Sequence, residues 1–345
     1  MKYILNETPV KTTNNFRINN IDVNLDITET SFNDYNYINS DDIVIKEEIK
    51  NGFNSKIGLN QGKYLYVDIT PKKNINDELI INYTFDKNNY FVSTININLD
   101  YNLDTIICFR GNKESFLNFK LTVNSKENIS SKITIVNLTN KNSINLISIE
   151  NMVNTNSSVT TNFIDLGGKL RISNYYSDLY KEKSKSSFNT IYIGSNDDRL
   201  DMNYYTKNNN KNTISNMIFE GALMDNSYKS LKGTIDFIKG SSKSKGNENE
   251  NCVLLSNKCK SKSLPMLLCN EEDVMGSHGM SSGKIDKDKL FYLESRGIDE
   301  EEAKRLIVKA NFKKVLDNIN NESIKKEIED IINKRIKWFL FFYFV

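Results

Sequence analysis

The chain has 345 residues, 38% of them hydrophobic and 26% charged, with a net charge of +2 at neutral pH. That length suits one large domain or a main domain with a satellite, and the balanced charge excludes a globally basic surface for nucleic acid. Only 3 Pro and 15 Gly occur, which excludes a Pro- or Gly-rich disordered chain.

The abundance of Asn, Lys and Ile reads as a codon bias without functional content. The start, Met1-Lys2-Tyr3-Ile4-Leu5-Asn6, has no sustained apolar run of the kind a secretory signal needs. Four irregularly spaced cysteines do not form a disulfide pattern and point to a reducing compartment, so a cytoplasmic location is expected. Residues 1–60 are read as an N-terminal β or irregular segment. From Tyr64 to about Ile238 the apolar pattern runs closer to period two than to 3.6, with strands predicted at 64–69, 79–85, 91–99, 105–109, 133–138, 144–149, 191–193, 218–219 and 234–238. Asn, Asp, Gly, Ser and Lys clusters between them favour turns. No amphipathic helix interrupts the series, so a βαβ fold is disfavoured. A sandwich, a barrel and a β-solenoid all remain open, and no strict repeat separates them. The short runs 181–185 and 241–245 read as solvated loops.

After Gly276 the pattern changes to helices. Residues 286–296 have acidic residues in the first turn, Leu290 and Leu293 on one face, and Gly297 as a stop. Asp299 with Glu302 has capping-box spacing, followed by the stripe Ala303, Leu306, Ile307 and Ala310. A third helix is predicted from Ser323 to about Trp338, with Ile324, Ile328, Ile331 and Ile332 as its apolar face. The apolar end, Trp338 to Val345, falls short of the roughly 20 residues a spanning helix requires. It is read equally as padding of a helix end, a subunit contact, or an extension without a role, and no membrane partner is expected.

The segment Ser277-His278-Gly279-Met280-Ser281-Ser282-Gly283-Lys284-Ile285-Asp286, followed by Leu290-Phe291-Tyr292-Leu293-Glu294-Ser295-Arg296-Gly297-Ile298, closely resembles the C-terminal hallmark of the SufB/SufD family of iron–sulfur cluster assembly proteins. Asn251-Cys252-Val253-Leu254-Leu255-Ser256 and Pro265-Met266-Leu267-Leu268-Cys269 resemble further family elements, as do Leu166 to Arg171, Gly221 to Ser227 and Leu231 to Ile235. The likeness is specific from about Asn251 to Phe312, weaker from Leu166 to Glu250, absent before Leu166, and closer to SufD than to SufB. It implies a right-handed parallel β-helix core over 61–276 with a helical domain over 277–345. It also implies docking of a SufC-type ABC ATPase on the helical region, and a dimer with a SufB-like partner or with itself through the β-helix.

His278 is the only histidine, and a neutral imidazole is a competent iron ligand. The resemblance makes it the candidate metal residue at a transient iron–sulfur cluster; the plainer reading is a side chain bonded to backbone at a tight turn. Cys252 and Cys269 are weaker candidates, since their spacing matches no cluster motif; in a solenoid they would sit near one another if stacked one rung apart. Buried thiols acting as small apolar groups are the plainer reading for them, and Cys108 is expected in the core. Leu290, Phe291, Tyr292 and Arg296 are candidate partner-binding residues, with Tyr292 and Arg296 as anchors. Departures from the family include Met280-Ser281 in place of an Ala-Thr pair. No phosphate-binding loop, H-E-x-x-H or G-x-S-x-G motif occurs, so the chain itself is expected to bind no nucleotide and to be a non-catalytic scaffold. The alternatives are a carbohydrate-active β-solenoid enzyme using Asp197, Asp198 and Asp201, or a SufD-like interaction module without a cluster site.

Overall fold

The structure, a computed structural model, describes residues 1–12, 17–25, 35–37, 41–85 and 90–336. The predicted strands belong to a solenoid. Its first half contains β3 (Tyr35–Tyr37), β4 (Ile43–Phe53), β5 (Gln61–Pro71), β6 (Leu79–Thr84), β7 (Tyr90–Leu99), β8 (Thr105–Arg110), β9 (Phe116–Ser125), β10 (Ser130–Leu138) and β11 (Ile144–Met152). Its second half contains β12 (Ser158–Asp165), β13 (Leu170–Leu179), β14 (Lys185–Gly194), β15 (Arg199–Asn208), β16 (Ile214–Leu223), β17 (Tyr228–Phe237), β18 (Ser244–Leu254), β19 (Lys260–Cys269) and β20 (Val274–Lys284). Odd-numbered strands from β5 build one parallel wall and even-numbered strands from β6 the other. The chain thus climbs one rung for every two strands, through about 8 turns. This agrees with the β-helix that the resemblance implied.

The rung length is written in the side chains. Ser115 and Ser143, 28 residues apart, share a hydrogen bond, and Asn128 and Asn156 repeat the spacing in the turns, where the Asn156 Nδ2 donates to Asn128 at 2.7 Å. Both of those asparagines have left-handed backbone (φ 61° and 56°), which Asn tolerates better than other non-glycine residues. Asn124 likewise donates to Asn96 across one rung. The asparagine content therefore has a structural role: short amides stack along the solenoid and shape its turns.

Successive side chains alternate between the lumen and the outside. The lumen holds the main core, from Leu65, Val67 and Ile69 through Phe91, Phe109, Phe119, Phe163 and Phe188 to Ile235 and Phe237. Each outer face has its own cover. The antiparallel pair β1 (Lys2–Leu5) and β2 (Ile21–Asn24) packs Leu5, Ile21 and Val23 over Val92, Phe116, Leu146 and Ile172 of the odd wall. Three helices follow the solenoid, α1 (Lys287–Ser295), α2 (Glu300–Leu316) and α3 (Glu322–Ile336). Val308, Phe312 and Val315 of α2 and Ile324, Ile328 and Ile332 of α3 cover Ile106, Cys108, Val136, Ile164, Ile191 and Ile193 on the even wall. Cys108 is therefore core, as expected.

Ionic contacts lock that cover. Arg110 forks onto Glu327 of α3, with Nε and Nη2 donating at 2.8 and 2.6 Å. Arg171, fully buried, donates to the carbonyls of Asp165 and Ile193 at 2.7 and 2.6 Å and faces Asp198 at 3.4 Å; Arg335 at the end of α3 reaches the Ile193 carbonyl at 3.3 Å. Burial, and then the neighbouring Arg171, push the Arg335 guanidinium down to about 10, while burial pushes the Asp165 and Asp198 carboxyls up. The Leu166-Gly167-Gly168 segment serves this knot: Gly168 is left-handed (φ 90°), and a Cβ on Gly167 would collide with the Thr139 backbone.

Helix starts match expectation: Asp286 caps α1 through the amides of Asp288 and Lys289, and Asp299 caps α2 through Glu302. Two expectations are corrected. The strand β20 continues to Lys284, so the division expected at 276/277 falls inside the last rung and the helical region begins after it. In α2 the buried set is Ala303, Val308, Phe312, Val315 and Leu316, with Leu306 and Ala310 exposed. The helix presents to the even wall a face rotated from the predicted stripe, because the wall, absent from a local periodicity argument, decides which side is covered. The apolar end from Trp338 lies outside the described residues.

Candidate functional site

The site is assembled where the solenoid stops. β19 and β20 are the last strands of the odd and even walls, each with one edge unpaired among the described residues. Their side chains are exposed or half-buried throughout, whereas the strands beneath are largely buried. Pro265 sits in β19, a position an edge strand tolerates because the missing amide costs no interior bond.

His278 lies on β20, directly above Glu248 of β18 in the parallel register, with Met280 above Glu250 and Ser282 above Cys252. In-register neighbours in a parallel pair share a face. Met280 packs against the lumen core and Ser282 shares a 2.8 Å hydrogen bond with Ser261 of the opposite wall, so this face of β20 points into the lumen. His278 is therefore an exposed imidazole on the inner rim of the open rung. It belongs to a strand, the last before the helices, which replaces the tight-turn reading.

One rung down, the lumen is charged. Glu250 accepts from Tyr192 at 2.6 Å, from Ser263 at 2.5 Å, and from Lys229, with both members of the Lys229–Glu250 pair fully buried. Cys252 closes this group beside Tyr192 and Ser261. Burial pushes its thiol up, and Lys229 acts in the opposite direction. Burial also raises Tyr192 well above its ordinary value. Glu248, fully buried, reaches across the lumen to Gly233, where any side chain would collide with its carboxylate. Neither of its oxygens has a hydrogen-bond partner, and burial, then the charge of Glu250, push it up to about 8.

Of the predicted metal residues, the structure places His278 and Cys269 on the same final rung and Cys252 one rung below. Cys269 is exposed and its thiol faces the Glu271 carbonyl at 3.1 Å. Cys252 and Cys269 are not stacked: the rung neighbours of Cys252 are Gly221 and Ser282 on the even wall, and that of Cys269 is Phe237 on the odd wall. Stacking requires the same wall as well as the right separation. Among the described residues, no group of three His, Cys, Asp or Glu side chains converges as a metal site.

The partner-binding candidates on α1 are presented outward. No residue of α1 is buried; Phe291 and Tyr292 are 71% and 56% exposed, Leu290 is half-buried, and Arg296 lies over the Tyr292 ring at 5.1 Å. The carboxylates considered for sugar chemistry are engaged separately. Asp198 belongs to the Arg171 knot, Asp201 pairs with buried Lys232 and Asn6, and Asp197 accepts from Asn226. Asp197 and Asp198 line one surface cleft with Asp22, Lys169 and Arg199, whereas Asp201 is buried away from it.

Lys229, Glu248, Glu250 and Tyr192 were missed from the sequence. The alternating Asn247-Glu248-Asn249-Glu250-Asn251 reads as a polar loop, although its period of two is a strand signal once polar residues are allowed inside.

The fold is a parallel β-solenoid with a helical cover on one wall. The family model for the SUF system FeS cluster assembly, SufBD core domain, matches residues 87–311, and the chain belongs to this family. It is 24% identical over 238 residues to the iron–sulfur cluster assembly protein SufD of Bacillus subtilis, covering 64% of this chain and 54% of that protein. It is 25% identical over 171 residues to SufD of Escherichia coli, covering 50% of this chain and 40% of that one. A SufBD family protein of Pyrococcus horikoshii is 36% identical over 113 residues, which cover 32% of this chain and 25% of the relative. The chain thus spans about half or less of the length of these relatives. No helix among the described residues is long and apolar enough to cross a membrane.

Proposed function

We propose that this chain is a non-catalytic scaffold subunit for iron–sulfur cluster assembly, working at the open rung of its solenoid. The observation that carries the reading is the exposed His278 on the inner rim of an unpaired terminal rung, in a chain of the SufB/SufD family. A second solenoid, SufB-like or another copy, meets the rung at the edges of β19 and β20, where unpaired backbone groups favour strand-to-strand association. Iron and sulfide are the cargo. His278 supplies one ligand to a transient cluster from this side and the partner supplies others. The exposed Phe291 and Tyr292 of α1, with Arg296 at its C-cap, form the anchor for a SufC-type ABC ATPase.

The test is anaerobic co-purification with that ATPase and a SufB-like subunit, followed by iron and sulfide quantification in wild type and His278→Ala. A stable complex whose iron content falls in the variant supports the reading; unchanged iron removes His278 from it. For the docking face, removing everything after Ile285 is a poor test, because α2 and α3 cover the even wall and their loss would expose it. The double variant Phe291→Ala, Tyr292→Ala is the sharper one. It loses the ATPase while its thermal stability stays within about 0.5 kcal/mol of wild type, as expected of exposed positions. Retained ATPase binding would move the docking site elsewhere.

A further inference from the structure

Glu248 is the anomaly of the lumen. A carboxylate removed from water without a hydrogen bond is costly, and native interiors rarely leave one so. Here both oxygens are without a partner, and the side chain is 0% exposed. The nearby ionic partners do not serve it: Lys229 is committed to Glu250 and Ser263, and Tyr192 donates to Glu250. The opposite wall accommodates the group closely, because Gly233 leaves the space the carboxylate occupies. In the parallel ladder of the even wall Glu248 lies between Met217 below and His278 above. Parallel neighbours are separated by about 4.8 Å along the wall, so an imidazole and a carboxylate on one face can share a small ion.

We propose that Glu248 and His278 together hold a divalent first-row transition-metal cation just inside the mouth of the lumen, with Glu248 as its anionic ligand. This rests on the reading of His278 as an iron ligand and adds the residue that supplies charge. An imidazole nitrogen with a carboxylate oxygen suits Fe(II), Mn(II) or Co(II). Two protein ligands leave the remaining positions to water, sulfide or a partner side chain, which fits a cation in transit rather than one permanently bound. Neutralisation by the cation also gives the buried carboxylate the partner that the walls withhold.

The experiment uses the purified full chain alone, titrated anaerobically with Co(II) by calorimetry and followed by absorbance. Wild type binds one equivalent; Glu248→Gln, nearly isosteric, and His278→Ala each weaken binding about tenfold or more, while Glu271→Gln at the outer end of the same rung leaves it unchanged. Glu248→Asp, which withdraws the carboxylate from Gly233, gives an intermediate loss and serves if the glutamine variant fails to fold. Loss in His278→Ala with wild-type binding in both Glu248 variants overturns the proposal, as does a wild-type chain that binds no Co(II). Failure of the ATPase complex would count against the assembly role without altering these titrations, so the two readings fail separately.

Discussion

The first rungs of the lumen and the last ones differ in what fills them. In the first, Tyr83, Phe85, Phe91, Phe109 and Phe119 pack ring against ring, with Tyr83 stacked on Phe109 at 5.2 Å and Phe109 edge-on to Phe119 at 4.9 Å. Toward the last rungs the aromatic packing continues through Phe188, Tyr204 and Phe219, but Tyr192, Lys229, Glu248, Glu250 and Cys252 add buried charges and a thiol beside it. The ends differ in the same sense. The first is finished by antiparallel β4, whose Lys46, Glu47, Glu48 and Lys50 put charge on the edge, a device against strand-to-strand pairing. The last rung carries Ser, Gly, Leu, Met and His with few charges along β20. The first rungs are apolar under a charged edge; the last rungs add buried charge under an edge with few charges.

That contrast can be broken residue by residue. Phe109→Ala should have the largest effect, about 3–5 kcal/mol of lost stability by denaturant unfolding, since it opens a cavity in the first rungs. A loss below about 1 kcal/mol would mean that the ring packing around Phe109 is not what stabilises the first rungs. In the last rungs, Lys229→Met should cost about 3 kcal/mol because it strands Glu250 in the interior, and Lys229→Met with Glu250→Leu should recover most of it. If the double variant is no better than the single one, packing rather than charge limits that rung.

Glu248 gives a pH signature. Its folded pKa of about 8 lies above its ordinary value of 4.5, so the folded state holds the proton more tightly. Its contribution is fully present below about pH 4.5 and is lost as pH rises through 8, the reverse of an ordinary paired carboxylate. Glu248→Gln should therefore be roughly 2 kcal/mol more stable than wild type at pH 9 in metal-free buffer and close to it at pH 5. Parallel urea curves at both pH values would show a Glu248 without this strain. The smallest effect is expected on the outside: Arg110→Ala should cost about 0.5–1 kcal/mol and speed amide exchange in α3, because the pair with Glu327 is partly solvated.

Much of this architecture is legible locally. The apolar alternation at 64–69, 79–85, 91–99 and 105–109 becomes β5 to β8, and Asp286, Asp299 and Gly297 mark helix ends as capping chemistry dictates. The strands β9, β12, β13, β15, β18, β19 and β20 are absent from the period-two reading; in all but β9, whose inward Leu117, Phe119, Leu121 and Val123 do alternate, polar or glycine residues at inward positions break the apolar alternation. The 28-residue rung was equally hidden, since turns of different length carry the spacing from 28 between Ser115 and Ser143 to 31 between Asn216 and Asn247. His278 was visible as a lone histidine in a family-like motif. The carboxylate beneath it was not.

By itself, the sequence determined the β-then-α division, the helix caps, the lack of nucleotide-binding and protease motifs, and the likeness to the SufB/SufD family. Those features depend on side-chain alternation and on bonds between residues three or four apart. Tertiary structure alone decided that His278 stands over Glu248, that Cys252 and Cys269 occupy different walls, and which face of α2 is buried. These are matters of register between strands some 30 residues apart, and register is set by the whole stack of rungs.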